Sequence, residues 1–153
     1  LVAGAVVALA MGNTGFIQET LVGKQAEDFT LNTVQGNKVN MTQYRGGKKA
    51  VIFLWATWCP HCREELKRVH DLRDKIASQG IQMIFVSLGE DKKTVQDYLK
   101  RHNYDFDVLL DEDQSLEGPY HLIGVPTLFF VNENGVIKLE DHAFPDNYEE
   151  AFK

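Results

Sequence analysis

The two cysteines of the chain, Cys59 and Cys62, stand in one Cys-Pro-His-Cys run, and that spacing limits the chemistry open to them. A disulfide between residues so close in sequence closes almost no loop, so it restrains the unfolded chain little. The pair is therefore a poor staple and a good reactive dithiol. Position sharpens the reading. Residues 50–55 form an unbroken apolar run, Ala-Val-Ile-Phe-Leu-Trp, of the kind shown by a strand buried on both faces. From Pro60 onward, Cys62, Leu66, Val69, Leu72 and Ile76 recur at helical steps, and Gly80 ends the run. Cys59 is thus expected at the N-cap of a long helix, with Pro60 at the first helical position, where its missing N–H costs nothing. A helix N-terminus carries about half a positive charge and unpaired N–H groups. A thiol placed there ionises more readily and becomes a nucleophile near neutral pH. Cys62, one turn further, can attack the mixed disulfide that Cys59 forms, so the expected cycle is capture by one sulfur and release by the other.

Other chemistries fit less well. A structural zinc site needs four ligands; with no second cysteine pair, His61, His70 and distant acids would have to complete it. Haem attachment needs a histidine directly after the second cysteine, and that residue is Arg63. An inert buried disulfide is the remaining alternative, and it sits poorly with a strand-to-helix position. The run Asp111-Glu112-Asp113-Gln114-Ser115 has some look of a calcium loop, but Leu116 stands at its sixth position and Leu122 at its twelfth, where glycine and glutamate are needed. Asp111 or Asp113 is expected instead to cap a helix. His70, His102, His121 and His142 show no mutual metal spacing, and neither a glycine-rich phosphate loop nor a Gly-x-Ser-x-Gly elbow occurs.

The positioning elements follow from the pattern. A chain of 153 residues, 44% hydrophobic and 25% charged, is one domain with one sizeable core rather than a disordered or fibrous protein. Its 16 basic against 22 acidic residues give a net charge of −6, which repels phosphate backbones and argues against nucleic acid as a partner. Residues 28–31 and 38–41, separated by Val34-Gln35-Gly36-Asn37, read as an N-terminal hairpin. Residues 81–88 read as a second buried strand. Val95, Tyr98, Leu99 and His102 suggest an amphipathic helix, residues 106–110 a short strand, and residues 114–121 a helical turn. Pro126 opens the apolar run 127–131, and Asn134-Gly135 separates it from residues 136–139, the strongest hairpin signal in the chain. Residues 146–153 read as the start of a helix. Strands alternating with helices and then a closing hairpin imply an α/β sheet of mixed strand direction.

Trp55-Ala56-Thr57-Trp58-Cys59-Pro60-His61-Cys62-Arg63-Glu64-Glu65-Leu66 resembles the active-site segment of the thioredoxin-like TlpA/ResA/CcmG (DsbE) group of thiol–disulfide oxidoreductases. The likeness runs from about Gly23 onward through Ala26-Glu27-Asp28-Phe29-Thr30-Leu31, Tyr44-Arg45-Gly46, Gly124-Val125-Pro126-Thr127 and Asn134-Gly135. It implies a thioredoxin fold over residues 23–153, a mixed central sheet flanked by helices with an N-terminal hairpin and a helix–strand insertion, preceded by an apolar leader over residues 1–22. It implies that Cys59 is the exposed nucleophile and Cys62 the buried resolving thiol, and that the redox-active pair itself is the only cofactor. Pro126 would be a cis-proline beside the dithiol, with Val125 aiming its backbone at an incoming chain for strand-like pairing and Thr127 beside them. Glu65, on the same helix face as Cys62, matches an acid that serves proton transfer in the group; thioredoxin itself has an Asp in the preceding strand, where this chain has Phe53. That leaves Glu65 as the proton acceptor the sequence offers, with its pKa expected to rise if burial dominates. The Pro60-His61 dipeptide resembles strongly oxidising DsbA-type proteins, and a protonated His61 would favour the Cys59 thiolate and a more oxidising pair. Trp55 and Trp58 are expected to pack beside the site, Trp58 within an apolar docking surface.

The expected function is an extracytoplasmic thiol–disulfide oxidoreductase that works as a monomer on cysteine-containing client proteins, with an upstream thiol–disulfide donor or acceptor. Reduction of apocytochrome c or a similar client is the expected task. A DsbA-like oxidant is one alternative and a Sco-like copper chaperone another, although the latter uses Cys-x-x-x-Cys plus a distant histidine. A peroxidase would need Pro-x-x-x-Thr-x-x-Cys, which the chain lacks. Residues 1–11 form an uncharged apolar run shorter than the roughly 20 residues a membrane-spanning helix needs. They suit the end of a signal peptide or a trimmed anchor, and so a periplasmic or other extracytoplasmic location, with a possible membrane tether.

Overall fold

The computed structural model describes residues 20–153, so the apolar run 1–11 and most of the expected leader lie outside the described residues. The strands are β1 (Thr30–Thr33), β2 (Lys38–Asn40), β3 (Lys49–Trp55), β4 (Ile81–Leu88), β5 (Val108–Asp111), β6 (Thr127–Val131) and β7 (Ile137–Asp141). They form one sheet in the order β2-β1-β5-β4-β3-β6-β7. β3, β4 and β5 run parallel, whereas β1 and β6 are antiparallel to their neighbours on either side. Helices α1 (Met41–Arg45), α2 (Pro60–Asp71), α3 (Arg73–Ser78) and α4 (Lys92–Arg101), with a final 3-10 turn Tyr148–Phe152, complete the mixed α/β thioredoxin fold.

β3 shows why the core divides in two. Successive strand side chains point to opposite faces. Val51, Phe53 and Trp55 join Cys62, Leu66 and Val69 of α2 on one face; Ala50, Ile52 and Leu54 join Met41, Leu116 and Tyr120 on the other. A strand covered on both sides must be apolar at every position, which is the run the sequence shows. From Gly23 onward the chain is tied to the β7 side by the bond from Gly23 N–H to the Ile137 carbonyl and the isolated bridge Gln25–Val136. Arg45 anchors the closing hairpin, its guanidinium donating to the carbonyls of Lys48, Asn132 and Glu133.

Several boundaries differ from expectation, each for a local reason. Met41 begins α1 rather than ending β2, because Asn40 accepts the Gln43 N–H and Asp28 accepts both N–H and hydroxyl of Thr42. The long helix after Pro60 breaks at Leu72 (φ −95°, ψ 0°), and the Arg73 guanidinium takes the His70 carbonyl beside the break. Phe106 stays off the β5 ladder and stacks on Phe85 at 4.3 Å. Residues 114–121 form the expected short turn, closed by the Tyr120 N–H to the Leu116 carbonyl at 3.0 Å; Gln114 (φ 58°) and His121 (φ 49°) at its two ends adopt the left-handed region, so it does not lengthen into a helix. Asp111 accordingly caps a turn, accepting the N–H groups of Ser115 and Leu116. The expected C-terminal helix is the short 3-10 turn, which buries Tyr148 and Phe152.

Candidate active site

β3 carries the chain through the core to Trp55, and residues 56–58 turn it onto α2. Cys59 is the N-cap of that helix (φ −89°, ψ 110°) with Pro60 at its start, and the Cys59 Sγ accepts the Cys62 N–H at 3.2 Å. The sulfur thus occupies the place where unpaired helix N–H groups favour an anion. On its other side the Cys59 S–H donates to the Val125 carbonyl at 3.6 Å. Both cysteines are free, so the structure shows the dithiol. Cys62 lies wholly buried. Burial, and after it the hydrogen bond to Cys59, push the Cys62 thiol well above its ordinary range.

Cys59 corrects one expectation. It is not an exposed nucleophile: only 4% of its surface is accessible, against 0% for Cys62. The reason is the pair of bonds just described, which tuck the sulfur between the helix start and the loop 124–127. What is exposed is the rim. Trp58 (66%) precedes Cys59 and Ile123 (79%) precedes the Gly124-Val125-Pro126-Thr127 loop. The Val125–Pro126 peptide bond is cis. Within this loop, Thr127 Oγ1 donates to the Gly124 carbonyl at 2.7 Å, and the His142 ring Nδ1 lies 3.0 Å from the Pro126 carbonyl.

Glu65 lies on the buried side of α2, and its bonds lead away from the sulfurs. Its Oε2 accepts the Phe144 N–H at 2.8 Å, and its Oε1 lies 3.6 Å from His61 Nε2. Arg68 is 3.8 Å from the same carboxylate and also donates to the Phe144 carbonyl. Two residues of one helix face, Glu65 and Arg68, thereby hold the segment after β7. His61, half exposed, faces Glu65, so the carboxylate offsets whatever positive charge the imidazole carries. Trp55 is fully buried against Tyr98, with ring centroids 5.4 Å apart.

The AhpC/TSA family model matches residues 22–140. The chain belongs to the AhpC/TSA family. Among its relatives is the thiol-disulfide oxidoreductase ResA of Geobacillus thermodenitrificans, 31% identical over 117 residues, covering 76% of this chain and 67% of that protein. StoA of Bacillus subtilis superposes with a TM-score of 0.65 at 28% identity, covering 76% of this chain and 88% of that one. A DsbE-type thiol:disulfide interchange protein of Chlorobium tepidum superposes at 0.74 with 26% identity, covering 85% and 91%. This AhpC/TSA member is a thiol–disulfide oxidoreductase of the ResA/DsbE type, and cysteine-containing molecules are its substrates. Its cysteines both lie in the one Cys-Pro-His-Cys run.

Four residues at this site escaped the sequence reading. Glu90 accepts the Thr57 N–H at 2.7 Å and the Thr57 hydroxyl at 2.5 Å, while Arg63 Nε donates to the Thr57 carbonyl at 2.9 Å. Every polar group of Thr57, two residues before Cys59, is therefore held by a charged side chain, and Glu65 is not the single acid beside the site. The signal was present: β3 and β4 are parallel with Trp55 opposite Ser87, so residues just past both strand ends meet at the same edge, where α/β sheets build their sites. Ile123, a large apolar residue in irregular chain before the loop, and His142, one residue beyond the Leu128–Asp141 pair, needed the register of β6 and β7 to be placed.

Proposed function

We propose that this oxidoreductase reduces disulfides of client proteins outside the cytoplasm, with apocytochrome c or a similar cysteine pair as its client, and that the Cys59–Cys62 pair is its whole redox equipment. The observation that carries the reading is the Cys59 sulfur held between the helix N–H of Cys62 and the carbonyl of Val125, inside an apolar rim of Trp58 and Ile123. A client strand that pairs with Val125 takes over that carbonyl and frees the Cys59 S–H. The freed thiol gives its proton to solvent, the Cys59 thiolate attacks one client sulfur, the client S–S bond breaks, and one client thiolate leaves to take up a proton from solvent. Cys62 loses its proton and attacks the Cys59 sulfur; the second client thiolate leaves, two electrons have passed to the client, and Cys59–Cys62 is a disulfide. An upstream dithiol must return the two electrons. The offset of His61 by Glu65 supports a reductant over an oxidant, and the uncharged apolar run of residues 1–11 supports export.

The test is a Cys62→Ser trap in the native compartment. Blocking resolution is expected to leave clients covalently held on Cys59, released by dithiothreitol and absent when Cys59 is also replaced. Recovery of no Cys59-dependent adducts overturns a protein client. The reduction potential decides direction: it is expected nearer the roughly −270 mV of a thioredoxin than the roughly −120 mV of DsbA.

Glu65 is proposed as the acceptor of the Cys62 proton, being a carboxylate one turn from Cys62 and nearly buried. Glu65→Gln keeps an oxygen for the Phe144 N–H but cannot take a proton. It is expected to slow exchange roughly a hundredfold, with the denaturation midpoint held. Exchange at the wild-type rate removes Glu65 from the chemistry.

A further inference from the structure

The loop 124–127 leaves backbone groups to spare beside the dithiol. Buried or partly buried backbone groups in a folded chain are almost all paired, so the partners of this loop can be counted in turn. The Gly124 carbonyl accepts from Thr127 Oγ1 at 2.7 Å. Pro126 has no N–H, and its carbonyl lies 3.0 Å from His142 Nδ1. A carbonyl can only accept, so Nδ1 carries the proton and donates. The same N–H lies 3.5 Å from Thr127 Oγ1, whose own proton is already given to Gly124. The Val125 N–H, like that of the exposed Gly124, meets no acceptor among the described residues, and the Val125 carbonyl holds only the Cys59 S–H.

We propose that His142 is a positioning residue for client binding: by fixing the Pro126 carbonyl it holds the loop so that Val125 presents its N–H and C=O, side by side with Cys59, to an extended cysteine-containing segment. This rests on the proposed function of the same site. His142 reaches the loop from the far end of β7, where the backbone of Phe144, two residues on, is held at both its N–H and its carbonyl by Glu65 and Arg68 of α2. Residues 142–144 thus span the site, bound to the loop at one end and to the helix of the dithiol at the other. The ring itself is exposed and fills no core position, so its hydrogen bond, not its bulk, is the contribution. Without that bond the Pro126 carbonyl is free to rotate, and a client strand must then order the loop as it docks, which costs affinity for a client with a backbone and far less for a small disulfide without one.

The experiment compares two disulfides on the reduced protein. One is an extended peptide whose single cysteine carries 2-nitro-5-thiobenzoate; the other is the symmetrical aromatic disulfide of that thiol, which has no peptide backbone. For His142→Ala the peptide KM is expected to rise about fivefold with kcat little moved, so that the ratio of kcat/KM for peptide over aromatic disulfide falls about fivefold. His142→Asn, whose Nδ2–H can stand where Nδ1–H does, is expected to restore the ratio. A general loss of fold lowers both substrates together and leaves the ratio where it was, which overturns the proposal, as does an Asn variant no better than Ala. Failure of the wider reading looks different: the wild-type protein would then exchange with neither disulfide.

Discussion

Cys59→Ser is expected to remove thiol–disulfide exchange, lowering kcat/KM by roughly a thousandfold or more, while leaving the fold intact. The two halves of this expectation have separate causes. A serine hydroxyl stays protonated near neutral pH and does not attack sulfur, so the first bond of the cycle cannot form. Yet serine is among the best N-cap residues, and its Oγ can accept the Cys62 N–H as the sulfur now does. The loss is therefore chemical and not structural, and a denaturation midpoint equal to or slightly above wild type accompanies it. The remaining thiol sharpens the test. Burial and the hydrogen bond to Cys59 raise Cys62 above its ordinary range, so between about pH 6 and pH 9 it stays protonated in the folded, reduced protein, and only still higher pH draws out its thiolate. Iodoacetamide at pH 8 should then add one carbamidomethyl group to wild type, on Cys59, and none to Cys59→Ser until the chain is unfolded. Equal labelling of both thiols would contradict the order of attack, and exchange surviving in Cys59→Ser would contradict the mechanism itself.

The division between what the sequence displays and what it hides follows the range of the interactions. The Cys59 N-cap, Pro60 at the helix start and the buried β3 are local, written in a strand pattern that meets a helical pattern at one residue, and the structure has them there. The Asn134-Gly135 hairpin is local in the same sense, with Gly135 at φ 80°. The Asp111 cap is local too, its carboxylate accepting the N–H groups of Ser115 and Leu116 a few residues on. Failures occur where a side chain from elsewhere decides. Nothing within a few residues of Met41 says that Asp28 will cap a helix beside it. The burial of Cys59 is of this kind too, because the Val125 carbonyl that covers it comes from a loop far along the chain. So is the company of Glu65: its helical face was legible, but its bond to Phe144 was not. The dithiol was legible from type and spacing; Glu90 and His142, which reach the site from other parts of the sheet, required its register.

Trp55→Ala should cost about 3–5 kcal/mol in urea denaturation of the reduced protein, the range for emptying a fully buried large aromatic site. For a domain whose whole stability is roughly 5–15 kcal/mol, that is a large share. Trp55 ends β3 with no exposed surface, packs against Tyr98 with the rings tilted by 49°, and shares its cluster with Cys59 and Cys62. Its removal opens space beneath the dithiol, so iodoacetamide should begin to reach Cys62 in the folded variant at pH 8. Trp55→Phe separates packing from polarity. Among the described residues Trp55 Nε1 is the buried side-chain polar atom with no hydrogen-bond partner, and burying such a donor costs roughly 1–3 kcal/mol. Phenylalanine keeps most of the ring area and sheds that cost, which offsets the smaller cavity it leaves. The net change is expected within about 1 kcal/mol of wild type, with the denaturant slope unaltered. If Trp55→Phe loses as much as Trp55→Ala, the indole N–H must be donating to an ordered water under the sulfurs, and the floor of this site is wet where the packing of Trp55, Tyr98 and Cys62 argues that it is dry.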